Sequence, residues 1–401
     1  MRNRHVKHAG LTLRTLVTLG AMLTAGRRVG SQEARSPIQG KEAAVKLSLS
    51  ELAENVRPGF LLGAHVAHTM QRDWDKLPQC RETLAEEFNV LSVGIYQKSM
   101  QRTSRDGWSF GNVDRTVAFA RKQGMQVYAH PLFGSNGYVP DWLLKGDFTD
   151  EQLLDVVEER IKTVLTRYRG QFDIIDVYNE GLDRRTGKWR PEKDNFLNRL
   201  GMRETEHGSF PIILEKMFIW SRKYGGDDLK LIYNDNNNTH FGMGQTKGSI
   251  ALFKAFRKAG IPIDGLGIQT HTGINAKGEH RLSGRAQGPL FNADLFARSL
   301  KAMGEAGAEV YVTECDVHLY SEADSVTLLK QAEAYRAILK ACIEEPACKM
   351  FKIWGFNDAH CWKPAKDKTN EPRPLIFDAG NRPKPAYHTM RQLLLDMLEQ
   401  K

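Results

Sequence analysis

Phe172-Asp-Ile-Ile-Asp-Val-Tyr-Asn-Glu180 is a short apolar run that stops abruptly at an amide and a carboxylate. Ile174, Ile175 and Val177 are β-branched, so the run predicts a buried strand rather than a helix. A strand that ends in Asn179-Glu180 delivers both to the rim of a scaffold, where loops assemble sites. Taken alone, Glu180 reads most simply as a solvated loop residue. A second run of the same design changes that reading: Glu309-Val-Tyr-Val-Thr-Glu314 is again short, β-rich and closed by a glutamate. Two strand-end carboxylates suit cleavage of a glycosidic bond, in which one protonates the leaving oxygen and the other attacks or activates water.

Outward from these two runs the chain alternates. Strands are predicted at 59–65, 88–94 and 125–130 before the first run, and at 229–233, 263–269 and 350–355 around the second. Helical patterns separate them: 81–87, 112–123 closed by Gly124, one opened by the capping box Thr149-Asp-Glu-Gln152, an apolar one through Ile212, Leu214, Met217 and Trp220, then 249–258, 292–305 and 325–344. A last helix is predicted over 384–399, and a long polar loop over 182–208. Eight strands alternating with helices predict an α/β fold, a single (β/α)8 TIM barrel over residues 46–401. Such barrels run to this length as one domain.

Active groups in that fold sit at the C-terminal ends of the strands. Here those ends carry His130, Asn179 and Glu180, Asn234 and Asp235, Gln269 and His271, Glu314, and Trp354. A retaining glycosidase needs two carboxyl groups about 5–5.5 Å apart, one an ionised nucleophile and one an acid. Histidines and amides then hold the nucleophile and the sugar hydroxyls, and Trp354 and Trp362 would give the ring a flat apolar platform. Each residue has a plainer reading: a strand-end histidine is often structural, a tryptophan is often core, and Asn234-Asp-Asn-Asn-Asn238 reads as an Asx-rich turn. His65, His68 and His240 lack metal-ligand spacing, and Phe241-Gly-Met-Gly-Gln-Thr-Lys-Gly248 departs from the phosphate-loop pattern. No metal or cofactor is expected.

The N-terminus differs from the rest. Arg2, Arg4, Lys7 and Arg14 precede an apolar run over 16–25 that is too short to span a bilayer. Residues 1–28 therefore read as an export signal and 29–45 as a flexible connector, which predicts a secreted or periplasmic protein without stable membrane insertion; a disordered basic tail is the alternative. Residues 1–28 hold six of the Lys/Arg and no Asp/Glu, so the formal charge of +9 falls to about +3 without them. That weak balance argues against a nucleic-acid partner. The expected partner is a polysaccharide or oligosaccharide substrate, met by a monomer. Five cysteines stand at 80, 315, 342, 348 and 361. None forms a C-x-x-C pair, and export would allow the neighbours Cys342 and Cys348 to bond.

From about Pro58 onward the chain resembles glycoside hydrolase family 10, the retaining endo-β-1,4-xylanases. Asp176-Val-Tyr-Asn-Glu180 is similar to the acid/base motif, which implies Glu180 as acid/base and Asn179 as the amide near the nucleophile and the 2-hydroxyl. Val312-Thr-Glu-Cys-Asp316 is similar to the nucleophile motif and implies Glu314. Tyr233-Asn-Asp-Asn-Asn237 and Gly267-Ile-Gln-Thr-His271 resemble the fifth and sixth strand ends; the latter implies that His271 contacts the nucleophile and that Gln269 lies near the sugar beside it. Trp354-Gly, Trp362, Pro374-Leu-Ile-Phe-Asp378 and Lys384-Pro-Ala-Tyr387 extend the match. The family commonly carries a disulfide where Cys342 and Cys348 stand.

Two segments depart from the family. Where it usually reads Glu-Asn, two residues, then Lys-Trp-Asp, this chain has Gly94-Ile-Tyr-Gln-Lys98-Ser-Met and keeps only Lys98. Where the family reads His-Thr-Leu-Val-Trp-His, this chain has His130-Pro-Leu-Phe-Gly-Ser135 and keeps only the first histidine. Both segments would line the glycone side, so a lost hydrogen-bond partner there should change which sugar is accepted. The resemblance implies a secreted retaining β-glycoside hydrolase acting on β-1,4-xylan or a related plant or algal β-glycan. The alternatives are an exo-acting or non-xylan-specific β-glycosidase with altered glycone subsites, and an inactive carbohydrate-binding barrel.

Overall fold

Eight strands pair in parallel, each with the next and the last with the first: β1 (Leu61–His65), β2 (Val90–Gly94), β3 (Gln126–His130), β4 (Ile174–Asn179), β5 (Lys230–Asp235), β6 (Gly265–Ile268), β7 (Glu309–Leu319) and β8 (Cys348–Ile353). Helices occupy each connection, so the computed structural model is the (β/α)8 barrel that the alternation predicts. It describes residues 47–282, 288–320, 323–362 and 373–401. The expected leader over 1–28 and connector over 29–45 lie outside the described residues.

Local signals set the helix ends. Thr149 accepts from the Gln152 amide while the Gln152 side chain accepts from the Thr149 amide, which opens the helix Asp150–Arg167. Gly124 takes φ +71° after the helix Gly111–Lys122, a conformation that a Cβ would strain. The glycine-rich 241–248 segment turns into the start of the helix Gly244–Lys258, earlier than its apolar pattern suggested. The sequence reading passed over an additional helix, Leu49–Val56, although Ser48 and Glu51 form its capping box. It also passed over two hairpins, Met202–Thr205 with Gly208–Pro211 and His271–Ile274 with His280–Leu282.

Side chains alternate along each strand, and the barrel interior is built in layers from that period of two. The floor is apolar: Val90, Tyr128, Ile174, Ile232, Tyr311 and Met350 pack together. Two residues further along the same strands stand Ser92, His130, Asp176, Asn234, Thr313 and Lys352, all buried and all polar. Two glycines make room for this second layer. A Cβ on Gly63 would lie 3.1 Å from Lys352 Cγ, and one on Gly267 would lie 2.3 Å from Asn234 Oδ1 and 3.0 Å from Thr313 Cγ2.

A single buried guanidinium fastens the rim nearby. Arg160 donates to the Ile95 carbonyl at 2.6 Å, the Leu132 carbonyl at 3.0 Å and Gln101 Oε1 at 3.1 Å, which ties the segments after β2 and β3 to one helix.

The close approach at Gly267 makes a test of the polar layer. Gly267→Ala should push Asn234 aside and lower unfolding stability by about 1–3 kcal/mol, the cost of overpacking a filled interior. Urea unfolding of both proteins measures it, and an unchanged midpoint would mean that the layer is loosely packed.

Candidate active site

The mouth of the barrel holds a cleft of about 660 Å³, and Glu180 and Glu314 both line it. Glu314 is only 4% exposed, so its charge depends on its partners. Asn234 Nδ2 donates to its Oε1 at 2.7 Å, and His271 Nε2 lies 3.2 Å from its Oε2. Burial alone would raise this carboxyl, but His130, His271 and the Lys352 ammonium together outweigh it and hold Glu314 below the ordinary glutamate value.

β7 runs on past Glu314 to deliver Asp316 and His318 on the same face. Asp316 Oδ1 lies 2.9 Å from His271 Nδ1 and 3.2 Å from His318 Nε2, and its Oδ2 accepts from Trp362 Nε1 at 2.7 Å. Burial opposes the imidazolium of His271, yet Asp316 and Glu314 push it up to about 10. A cationic His271 thus donates to Glu314 through the neutral range. Thr270, next to it, takes φ +58°, a costly conformation for a β-branched residue, between Gln269 and His271, which both line the cleft.

Glu180 also has a positive φ, +61°, at the point where β4 leaves the barrel. Its amide donates to the Asn234 carbonyl at 3.0 Å. The loop behind it is tied to β5: the Gly181 amide donates to Tyr233 Oη at 3.0 Å and the Leu182 amide to Asp235 Oδ2 at 3.1 Å. Burial raises Asp235 to about 7. Gln269 Nε2 donates to Glu180 Oε1 at 2.9 Å and reaches Asn179 Oδ1 at 3.3 Å; Asn234 Nδ2 donates to that same Oδ1 at 3.0 Å. A chain of three amides therefore links the two carboxylates.

Trp354 floors the cleft. His65 stacks on it at 3.8 Å and 6°, while His130 and His271 meet it edge-on at 4.9 and 6.4 Å. His130 itself is buried, with Nδ1 on Asp176 and 3.8 Å from Glu314 Oε1. Trp362 stands at the rim, 45% exposed, with its ring 5.1 Å from that of His271.

The glycone side is rebuilt. Lys98, expected among the substrate-binding residues, is exposed on the short helix Gln97–Met100, does not line the cleft, and lies where its charge acts on Asp141. Tyr96 lines the cleft in its place and stacks on Tyr138 at 5.9 Å and 7°. A Cβ on Gly134 would lie 2.5 Å from Tyr138 Cδ2, so the Tyr138 ring fills the space that any larger residue at 134 would need. Its hydroxyl accepts from Asn179 Nδ2 at 2.8 Å. The motif reading included Asp176 and Asp316 without giving them a role; His65 closes the predicted strand 59–65 and carried the strand-end signal, whereas Tyr96 and Tyr138 as site walls left no local signal. Cys342 and Cys348, the candidate disulfide pair, lie together on the helix after β7 and on β8. Both are buried, and their side chains are in hydrogen-bond contact.

Comparison with known proteins agrees with this geometry. The profile described as Glycosyl hydrolase family 10 matches residues 50–393. Endo-1,4-beta-xylanase B of Thermotoga neapolitana is 31% identical over 346 residues, which covers 85% of this chain and 91% of that protein. Exoglucanase XynX of Acetivibrio thermocellus is 28% identical over 365 residues, 87% of this chain but 30% of that longer one. Xylanase 10B of Thermotoga petrophila RKU-1, solved in complex with xylobiose, superposes with a TM-score of 0.73 at 28% identity, covering 88% of this chain and 98% of that one. A profile match across nearly the whole barrel means that the chain belongs to glycosyl hydrolase family 10.

Proposed function

We propose that the protein is an exported retaining β-glycoside hydrolase that cleaves β-1,4-xylan or a related β-glycan, with Glu314 as nucleophile and Glu180 as acid/base. The observation that carries this reading is the contrast between the two carboxylates of one cleft. Glu314 is buried against imidazoles and an ammonium, which favour the anion, whereas Glu180 takes its hydrogen bonds from the neutral groups Gln269 and Tyr138. Double displacement requires one carboxylate as nucleophile and a second carboxyl group in the same cleft to serve as acid and then base.

In that reaction the Glu314 carboxylate attacks the anomeric carbon while Glu180 gives its proton to the departing glycosidic oxygen. Glu180, now a carboxylate, takes a proton from water, and the hydroxide so formed displaces Glu314 with the configuration restored. Asn234 and His271 hold the Glu314 carboxylate in place, and the edge of Trp354 forms part of the cleft floor. The xylan preference is supported by the named xylanases among the relatives. Export is supported by the basic residues at 2, 4, 7 and 14 ahead of the apolar 16–25 run.

A second substrate reading has its own support. Gly94, Gly134 with Tyr138, and the outward Lys98 all alter the glycone wall, so a non-xylan β-glycoside, or exo action, fits the rebuilt side.

Glu314→Ala should abolish turnover of aryl β-glycosides and regain it with azide, giving a product of inverted configuration; loss without rescue would remove Glu314 from the nucleophile role. Glu180→Ala should lose about 10²–10⁴-fold on natural glycans but far less on substrates with good leaving groups. Equal losses would count against Glu180 as the acid. Product analysis on xylan, arabinoxylan, β-glucan, mannan and aryl β-xylosides separates the substrate readings. Xylo-oligosaccharides are expected; turnover of another β-glycan with xylan untouched would favour the second. Export predicts a mature N-terminus near residue 28 in the periplasmic or extracellular fraction, and a cytoplasmic chain beginning at Met1 would contradict it.

A further inference from the structure

Lys352 stands in the middle of β8, inside the barrel, fully buried. Its stem passes Gly63, and its ammonium lies 4.2 Å over the ring of Tyr128 and 4.8 Å over the ring of Trp354. Its Nζ has no hydrogen-bond partner among the described residues. An ammonium stripped of water without a hydrogen bond is costly, and a neutral chain of the same length would fill the space without that cost. What distinguishes lysine here is its charge.

The groups around it show what the charge meets. His65 of β1, Tyr128 of β3, Asp176 of β4, Glu314 of β7 and Trp354 following β8 act on it, and His130 of β3 stands beside Asp176 and Glu314. Tyr128 donates its hydroxyl to Asp176 at 2.5 Å, so the ring beneath the ammonium is polarised by a carboxylate. Two buried carboxylates, Asp176 and Glu314, and the electron-rich faces of two rings thus surround a single ammonium.

We propose that Lys352 is a positioning residue of the hydrolytic reaction, the fixed cation below the cleft floor against which the Glu314 and Asp176 carboxylates are buried and on which Trp354 rests. It does not line the cleft, and it acts through Glu314 and Trp354. Burial pulls Lys352 down to about 7, with Glu314 and Asp176 pulling the other way, and Lys352 in turn helps to hold Glu314 down. The two ionisations are therefore linked, and each must shift when the other group is neutralised.

This proposal rests on Glu314 being the nucleophile, and its test has one arm that needs no turnover. Lys352→Met keeps the length and removes the charge. With an aryl β-glycoside whose leaving group needs little acid help, the acidic limb of kcat/KM should move to higher pH by about one unit, since an opposite charge nearby lowers a carboxyl by roughly that much or more. A lower melting temperature with the limb in place would mean that Lys352 only fills space and would overturn the proposal. The second arm follows Lys352 in the folded full-length chain by NMR of lysine labelled at Cε. Glu314→Gln should move the Lys352 titration to lower pH, and an unmoved midpoint would overturn the proposal whether or not Lys352→Met folds. Failure of azide rescue, by contrast, would remove the nucleophile and leave this titration result standing.

Discussion

The side-chain amide of Asn234 joins the strand that carries Glu314 to the strand that carries Glu180. Its nitrogen donates to both Glu314 and Asn179, and its oxygen accepts from Thr313 at 2.8 Å. With all three bonds made, β4, β5 and β7 are held in one register at the rim. Only glycine at 267 leaves room for this amide, so a backbone choice on β6 decides how the carboxylates of two other strands meet. Gln269 then extends the same network to Glu180.

Charge burial is the second constraint. The interior sets a polar layer directly on an apolar floor, which is tolerable only where each ion has a partner. Asp176 is shared by Tyr128 and His130, and Asp316 by His271, His318 and Trp362. The outcome is functional as well as structural. His130, His271 and Lys352 gather around Glu314, while Gln269 and Tyr138 bond Glu180. A cleft built this way gives two chemically identical side chains different surroundings.

The strand ends were legible because a β-branched run closed by a polar residue carries its own signature, and the barrel followed from their number. The sequence reading also held residues that meet at one cleft: Glu180, Glu314, His130, Gln269, His271, Trp354 and Trp362 line it, and Asn179 and Asn234 stand in the hydrogen-bond network behind them. The exposed setting of Lys98 was not legible, because a matching letter does not fix the direction of a four-residue helix. Tyr138 was invisible because its role depends on the vacancy above Gly134, which only the folded chain reveals. Lys352 was passed over within an apolar strand, since strands buried on both faces show no alternation from which to read which side chains point inward. Ring closure fixes that phase, sending Phe351 and Ile353 out to the helices and Met350 and Lys352 into the barrel.

The central claim is that Glu314 becomes covalently bound to the sugar. Reaction with an activated 2-deoxy-2-fluoro-β-xylobioside, followed by mass spectrometry of the digested protein, tests it most directly. The account predicts one glycosyl group per chain, esterified to Glu314 in the peptide that contains Val312-Thr-Glu-Cys-Asp316. A label on Glu180 or elsewhere would contradict it. So would an unlabelled protein that still turns over the corresponding unfluorinated glycoside.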